Sequence, residues 1–116
     1  MTNDIKIGIG GSLEDDGKAF VAAWRRTERG GDVHERALVF ESWELLTKVM
    51  TGERFRLLKH VHAHPEPSIS ALARSLGRQY RRVHADVAAL ESVGLLARHA
   101  GALHATADTL KADIRL

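Results

Sequence analysis

The sequence contains no cysteine and no long apolar run. The absence of cysteine excludes both a disulfide scaffold and a thiolate metal site. None of the apolar runs approaches the roughly 20 residues that a membrane-spanning helix needs, and the first residues lack the pattern of a signal peptide. We therefore expect a cytoplasmic protein. A content of 44% apolar and 28% charged residues is typical of a globular chain.

The chain has 116 residues, enough for one domain or for a small module with an extension. Its formal net charge of +2 is unevenly distributed along the sequence. Residues 1–50 carry more acidic than basic side chains, whereas residues 51–116 carry more basic ones and six of the seven histidines. This asymmetry indicates that only the second half meets a polyanion.

The first half predicts a strand, a helix, a second strand and a second helix, at residues 4–9, 12–29, 33–40 and 43–50. The first strand is indicated by the alternation of Ile5, Ile7 and Ile9. The first helix is predicted to begin after a Ser12 cap and to stop at Gly30 and Gly31. Ser42 is the expected cap of the short second helix.

The second half predicts three helices, a hairpin and a last strand, at residues 52–64, 68–77, 80–93, 95–106 and 110–116. Thr51 is the expected cap of the first of these helices, with Phe55, Leu58 and Val61 as its apolar stripe. Gly77 ends the second helix, and the hairpin turns at Ala100–Gly101.

The helix that begins near residue 80 has cations at its start and an ordinary apolar stripe further on. On a wheel of 3.6 residues per turn, Val83, Val87 and Leu90 form the face expected to be buried. Arg81 and Ala85 lie almost opposite that stripe. Arginines at the start of a helix, followed by small residues, suit a helix that enters a major groove by its N-terminus. The simpler interpretation is a charged face exposed to solvent.

Other candidate sites have incomplete patterns. The loop "GIGGS", residues 8–12, lacks the third glycine of the dinucleotide fingerprint and the Lys-Ser/Thr pair of a P-loop. His60 and His64 share a helix face, but neither a cysteine nor an obvious carboxylate partner completes a zinc site. The serine and threonine residues are assigned to helix caps, and no pair of carboxylates suggests catalysis. We therefore expect no enzyme, no metal and no cofactor.

The stretch "ISALARSLGRQYRRVHADVAALESVGLLAR" resembles the winged helix-turn-helix of MarR-like and ArsR-like transcriptional regulators. The matching positions are Leu72–Ala73, Leu76–Gly77, Val83, Leu90–Glu91 and Gly94–Leu95–Leu96. In this resemblance Leu72, Val83 and Leu90 form the core between three helices, and Gly77 makes the tight turn. Winged helices also serve as protein-docking modules, so a protein–protein interaction module that binds no DNA stays open as an alternative.

Over its whole length the chain resembles a family of small prokaryotic winged-helix DNA-binding proteins that are often encoded beside a toxin gene. These proteins carry a Tyr-x-x-Val-His-x-Asp-Val signature, which Tyr80, Val83, His84, Asp86 and Val87 match. The chain departs from many of them at Ala85, where they have a basic residue. The resemblance implies a dimeric autorepressor or antitoxin that binds palindromic double-stranded DNA and has a toxin as a further partner.

Together these inferences predict an α+β fold with three parts. Residues 51–106 form a winged helix-turn-helix, residues 1–50 a β-α-β-α extension for dimerisation and partner binding, and residues 107–116 a strand that joins the dimerisation region. The residues expected to contact DNA lie at the start of the proposed recognition helix and in the wing: Arg78, Gln79, Tyr80, Arg81, Arg82, His84, Ala85, Arg98 and His99.

Overall fold

The computed structural model describes residues 3–10, 22–29, 33–114 and 116. Over these residues the chain has an α+β fold with the elements β1 (Asp4–Ile9), β2 (Ala22–Arg29), β3 (Val33–Phe40), α1 (Trp43–Val49), α2 (Gly52–Ala63), α3 (Ile69–Leu76), α4 (Tyr80–Ser92), β4 (Leu96–His99), β5 (Ala102–Ala105) and β6 (Thr109–Asp113). They belong to two compact units. Unit 1 comprises residues 1–48 and 107–116, and unit 2 comprises residues 49–106. No helix in the described ranges has the length and apolar character required to cross a membrane.

Unit 1 contains a four-stranded sheet in the order β2-β3-β1-β6. The predicted strand at residues 4–9 is confirmed as β1, which pairs in parallel with both β3 and β6. Ile7 lies beside Leu38 and Ile9 beside Phe40, so the alternating apolar residues share one face. Ile5, Ile7, Leu38 and Phe40 are buried there, which explains the alternation in the sequence.

At the edge formed by β6, this sheet brings together the first and last strands of unit 1, which are far apart in the sequence. The last strand was predicted at residues 110–116, and the structure has β6 at Thr109–Asp113. Lys6 and Asp113 form a cross-strand ion pair at 3.5 Å, and Lys111 pairs with Asp4 at 3.1 Å. These charged residues alternate with the apolar ones, which places the two kinds of side chain on opposite faces of the sheet.

The helix predicted at residues 12–29 is wrong over its second part, because Ala22–Arg29 form strand β2. This strand pairs antiparallel with β3, from Ala22 beside Phe40 to Arg29 beside Val33. Gly30 and Gly31, interpreted as the stop of that helix, lie outside the described residues. Pairing with β3 overrides the helix propensity of alanine, arginine and glutamate. Ser12 and the rest of residues 11–21 lie outside the described residues.

The cap predicted for the following short helix is confirmed. Leu45 N donates to Ser42 Oγ at 3.2 Å at the start of α1. Trp43, the first residue of this helix, is 53% exposed, and α1 buries none of its residues. Trp43 therefore contributes exposed apolar surface to unit 1.

Helix α2 begins unit 2 and is capped as predicted, since Arg54 N donates to Thr51 Oγ1 at 3.2 Å. Its buried stripe consists of Leu57, Leu58 and Val61. The prediction that Phe55 belongs to this stripe is wrong, because Phe55 is 45% exposed. On the helical wheel Phe55 lies well away from the centre of the face that Leu57 and Val61 define. Its ring instead lies 5.7 Å from Lys59 Nζ.

The remaining elements of unit 2 share one apolar core. Leu72 of α3, and Val83 and Leu90 of α4, are fully buried, as the sequence pattern predicted. The hairpin of β4 and β5 is confirmed and contributes buried Leu96 and Leu103. Glu66, between α2 and α3, extends this small sheet, because Glu66 N donates to Leu103 O and Leu103 N donates to Glu66 O.

Candidate nucleic-acid interface

The turn between α3 and α4 is fixed by its backbone. Ser68 caps α3 by accepting a hydrogen bond from Ala71 N at 3.0 Å, and Gly77 ends it in the left-handed conformation with φ of 65°. Arg78 N then donates to Ala73 O at 3.0 Å, which closes the helix end. A side chain at position 77 would strain this conformation, so glycine favours the turn that ends α3 and leads into α4.

Helix α4 starts differently from α2 and α3. Its N-cap residue, Gln79, makes no side-chain capping hydrogen bond, and the first turn contains no acidic residue. The first amide groups of an α-helix lack acceptors inside the helix and carry the positive end of its dipole. Gln79, Tyr80 and Arg81 are all exposed, so this positive end is accessible.

The exposed face of α4 is cationic. Arg81 and Ala85 are exposed, as the wheel predicted, and Arg82 and His84, which flank them, are exposed too. Neither Arg81 nor Arg82 forms an ion pair with any carboxylate in the described part of the chain, whereas Arg54, Arg56, Arg78 and Arg98 all do. Tyr80 and His84 lie one turn apart with ring centroids separated by 5.8 Å. Unpaired guanidinium groups beside the positive end of a helix dipole favour binding of an anion.

Arg78 is placed differently from the other predicted contact residues. Its side chain is only 18% exposed and is held by two carboxylates. Arg78 Nη2 donates to Asp86 Oδ2 at 2.8 Å, and Arg78 Nε lies 3.4 Å from Glu53 Oε2. In this arrangement the guanidinium is occupied inside unit 2, while the neighbouring Arg81 and Arg82 are exposed.

Asp86 is the residue of this region that the sequence reasoning missed. It lies three residues after Val83 and one before Val87, within the stripe expected to be buried, and the residue is only 9% exposed. A charged side chain in an apolar stripe requires a partner of opposite charge. The sequence therefore indicated that Asp86 has a partner. It did not indicate which one, because Arg54, whose Nε donates to Asp86 Oδ1 at 2.9 Å, is 32 residues away.

Glu53 adds a second carboxylate at the start of α2. Its Oε1 accepts a hydrogen bond from Arg56 Nη2 at 2.7 Å. This hydrogen bond, together with the charge of Arg78, lowers the pKa of the Glu53 carboxyl below its ordinary value. Glu53 therefore remains ionised opposite Arg78.

The hairpin places Arg98 and His99, its two predicted contact residues, on two different faces. Ala100 and Gly101 turn the chain with positive φ, as in the tight turns that join twisted strands. The side chain of Arg98 is half exposed, and its Nε donates to Glu91 Oε2 of α4 at 3.0 Å. His99 is exposed, and its ring lies 6.1 Å from that of His104. Because this ion pair is exposed, Arg98 lies at the surface beside α4.

His60 of α2 has a carboxylate partner that the sequence reasoning did not find. His60 Nε2 lies 2.6 Å from Glu66 Oε2, and the His60 and His64 rings are 5.6 Å apart. The hydrogen bond with His60 is the main cause that lowers the pKa of Glu66, and a further one from Ser75 acts in the same direction. Among the described residues, no three histidine, aspartate or glutamate side chains lie together in a group that could hold a metal ion.

The chain belongs to the HVO_A0114 family, whose model matches residues 49–112, more than half of the sequence. The matched range begins with unit 2 and extends to β6. It therefore contains α3, the turn and the cationic helix α4. No curated protein and no solved structure matches the chain.

Proposed function

We propose that this protein is a sequence-specific, double-stranded-DNA-binding transcriptional regulator in which unit 2 is a winged helix-turn-helix. In this proposal α3 and α4 form the helix-turn-helix, and the β4–β5 hairpin forms the wing. The order of these elements and the buried positions of Leu72, Val83 and Leu90 support it. The two-residue turn of the hairpin gives the wing a defined geometry.

The observation that carries the proposal is the exposed start of α4, where Arg81 and Arg82 have no acidic partner among the described residues and no side chain caps the helix. Two adjacent cations at the positive end of a helix dipole repel one another and the dipole. A phosphate backbone relieves this repulsion, and a helix inserted by its N-terminus brings its first residues to base edges.

Within this proposal the predicted contact residues have separate roles. Arg81 contacts a base edge in the major groove, with Gln79, Tyr80, His84 and Ala85 around it. Arg82 and the wing residues Arg98 and His99 contact the phosphate backbone or the minor groove. Arg78 is left out of these contacts, because Asp86 and Glu53 already hold its guanidinium.

We further propose that the regulator is a homodimer that binds a palindromic site. One winged helix contacts few base pairs, so a symmetric pair of them is needed for operator-level specificity. Unit 1 is the proposed assembly surface. Among the described strands of its sheet, β2 and β6 lie at the two edges, and edge strands offer unpaired backbone groups to a second chain.

The test of DNA binding is the salt dependence of duplex binding. We expect the affinity to fall steeply as salt is added, because cationic contacts to phosphates release counterions. Fluorescence anisotropy with labelled duplexes, measured at several salt concentrations, gives the slope directly. If no duplex binds even at low salt, the proposal fails and a protein–protein interaction module becomes the better interpretation.

A role as the antitoxin of a toxin–antitoxin operon is a proposal that rests on the sequence resemblance. The acidic first half of the chain would then capture a basic, nucleic-acid-directed toxin. The gene beside the one encoding this chain provides the first check. Co-expression with that neighbour should then yield a complex, and the complex should repress the promoter of the same operon.

A further inference from the structure

Asp86 has both carboxylate oxygens engaged inside unit 2. Oδ1 accepts from Arg54 Nε at 2.9 Å, and Oδ2 accepts from Arg78 Nη2 at 2.8 Å. The Asp86 side chain is 12% exposed, and those of Arg54 and Arg78 are 22% and 18% exposed. Charge-assisted hydrogen bonds in a mostly buried place are short and directional, so they fix the relative positions of the groups that form them.

These two arginines come from different segments of the chain. Arg54 belongs to the first turn of α2, where its Nη1 also donates to Val49 O at 3.1 Å. Arg78 lies in the turn that precedes α4, and its Nε faces Glu53 of α2. Asp86 thus connects the start of α2, the turn and the second turn of α4 through its one carboxylate.

The network is not arranged for maximal stability. Arg78 Nη1 is buried and donates to no acceptor among the described residues, and an unsatisfied buried donor opposes folding. Buried ion pairs in general add little stability compared with apolar residues of similar size. In some proteins such groups instead select one defined geometry, since an apolar stripe alone allows a helix to rotate or slide against its neighbours.

We propose that Asp86 is a positioning residue of the DNA interface. By holding Arg54 and Arg78 it fixes the rotation of α4 about its axis, and with it the exposed positions of Arg81 and His84 on the same helix. This inference rests on the proposed function. In this proposal Arg78 supports the recognition helix, and residues after Arg78 contact the bases.

Simple electrostatics predicts the opposite effect of removing this carboxylate. An acidic group near a DNA-binding surface repels phosphates, so its loss would tighten binding to every duplex. A positioning role predicts that binding to the preferred duplex weakens, while binding to other duplexes stays equal or becomes tighter. The ratio of the two affinities therefore separates the two explanations.

The experiment begins with selection of the preferred duplex by the full-length wild-type chain from a random pool. The affinities for that duplex and for a scrambled duplex are then compared between wild type, Asp86→Asn, Arg54→Lys and Glu44→Gln. Asp86→Asn keeps the size of the side chain but cannot accept from both arginines. Glu44→Gln, an exposed position on α1, makes the same change in net charge outside the network.

We expect Asp86→Asn to lower the ratio of affinities by about tenfold or more, since one misplaced base contact has that order of effect. Glu44→Gln should keep the wild-type ratio. Arg54→Lys retains the positive charge but cannot bridge Asp86 and Val49 together, so it should lower the ratio without a change in scrambled-duplex affinity. This second variant decides the question if Asp86→Asn does not fold.

Amide hydrogen exchange supplies a readout that does not depend on DNA. In the Asp86→Asn or Arg54→Lys protein we expect faster exchange at the amide of Val83 and in the second turn of α4, where the amides are hydrogen-bonded within the helix, with α3 and the hairpin unchanged. Wild-type exchange in α4, or a wild-type affinity ratio, would overturn the role of Asp86. A wild-type chain that selects no duplex would overturn the proposed function and the DNA part of this inference, and the exchange data would then show whether the positioning itself fails.

Discussion

At the scale of single residues, the neighbours Arg81 and Arg82 differ in the face of α4 that they occupy. Arg81 lies almost opposite the buried stripe of Val83, Val87 and Leu90. Arg82 is displaced from Arg81 by 100° around the helix. For Arg81→Ala we expect a loss of about 1–3 kcal/mol of binding free energy on the preferred duplex and a smaller loss on scrambled DNA. Anisotropy titrations at one fixed salt concentration measure both. Equal losses on the two DNAs would make Arg81 a phosphate contact.

Arg82 is expected to act mainly through its charge. Arg82→Ala should weaken binding to preferred and scrambled duplexes alike and reduce the slope of log affinity against log salt by about 0.9, the value for one phosphate contact. Lys59→Ala on α2 is the matched control, because it removes the same charge from a residue that lies against Phe55. A salt slope that stays at the wild-type value in Arg82→Ala would remove this residue from the interface.

Glu66 predicts a dependence of stability on pH. Its pKa lies below the ordinary value of 4.5 in the folded chain, chiefly because of the hydrogen bond with His60. A carboxyl with a lowered folded pKa stabilises the fold above its unfolded pKa, and this contribution is lost as the pH falls through the folded pKa.

Glu66→Gln should therefore unfold more readily than wild type at pH 6–7, by about 1.5–3 kcal/mol, the usual contribution of a hydrogen bond to a charged group. The difference should narrow as the pH falls below the ordinary value of 4.5 toward the lower pKa of the folded Glu66 carboxyl. Urea unfolding followed by circular dichroism across this range provides the measurement. A difference that is independent of pH would show that the charge of Glu66 contributes nothing.

At the scale of elements, the missing cap of α4 allows effects on folding stability to be distinguished from effects on DNA binding. Gln79 has the extended backbone of an N-cap residue but makes no capping bond. Gln79→Ser should stabilise unit 2 by about 1 kcal/mol, because serine accepts from the first-turn amides.

Gln79→Asp should stabilise the helix by a similar amount and, unlike serine, should weaken binding to every duplex through repulsion of phosphates. Comparing unfolding in urea with duplex affinity for the two variants tests both effects. If aspartate and serine weaken DNA binding equally, charge at this helix end has no part in binding.

Several elements could be predicted from local signals in the sequence. Thr51 and Ser68 mark helix starts, Gly77 marks a helix end, and Ala100–Gly101 mark a hairpin turn, and each acts within four residues of itself. Strand β2 could not be predicted this way, because Ala22–Arg29 have helix-favouring residues and become a strand only through pairing with β3.

The same distinction applies to the candidate site. The exposed positions of Arg81, Arg82 and His84 follow from helical periodicity alone. The burial of Arg78 does not, because its partners Asp86 and Glu53 come together only when α2 and α4 pack in unit 2. Long-range ion pairs depend on tertiary contacts, which a single sequence does not reveal.

At the scale of the whole molecule, the division into two units predicts that unit 2 can be separated from unit 1, and in the proposed function the separated unit still binds DNA. Residues 49–106 contain the whole core of unit 2 and the cationic helix. In the dimer proposal, this fragment should be folded but monomeric, and its affinity for the full palindrome should fall sharply. Linking two DNA-binding modules raises affinity through effective concentration, and the fragment loses that linkage.

Sedimentation equilibrium of the fragment, compared with the full chain, measures the change in assembly. A fragment that sediments as a dimer with full operator affinity would place the dimer contacts within unit 2. It would also leave unit 1 free for a different role.

The parallel pairing of β1 with β6 has a consequence for the order of folding. These neighbouring strands are separated along the chain by the whole of unit 2, so the sheet of unit 1 is a discontinuous domain interrupted by a continuous one. During synthesis, residues 49–106 leave the ribosome before β6 does, and domains generally fold as units as they emerge. A nascent chain can therefore acquire its cationic helix while its four-stranded sheet still lacks an edge strand, and a protease that removes residues after 107 would produce the same incomplete sheet in the mature protein.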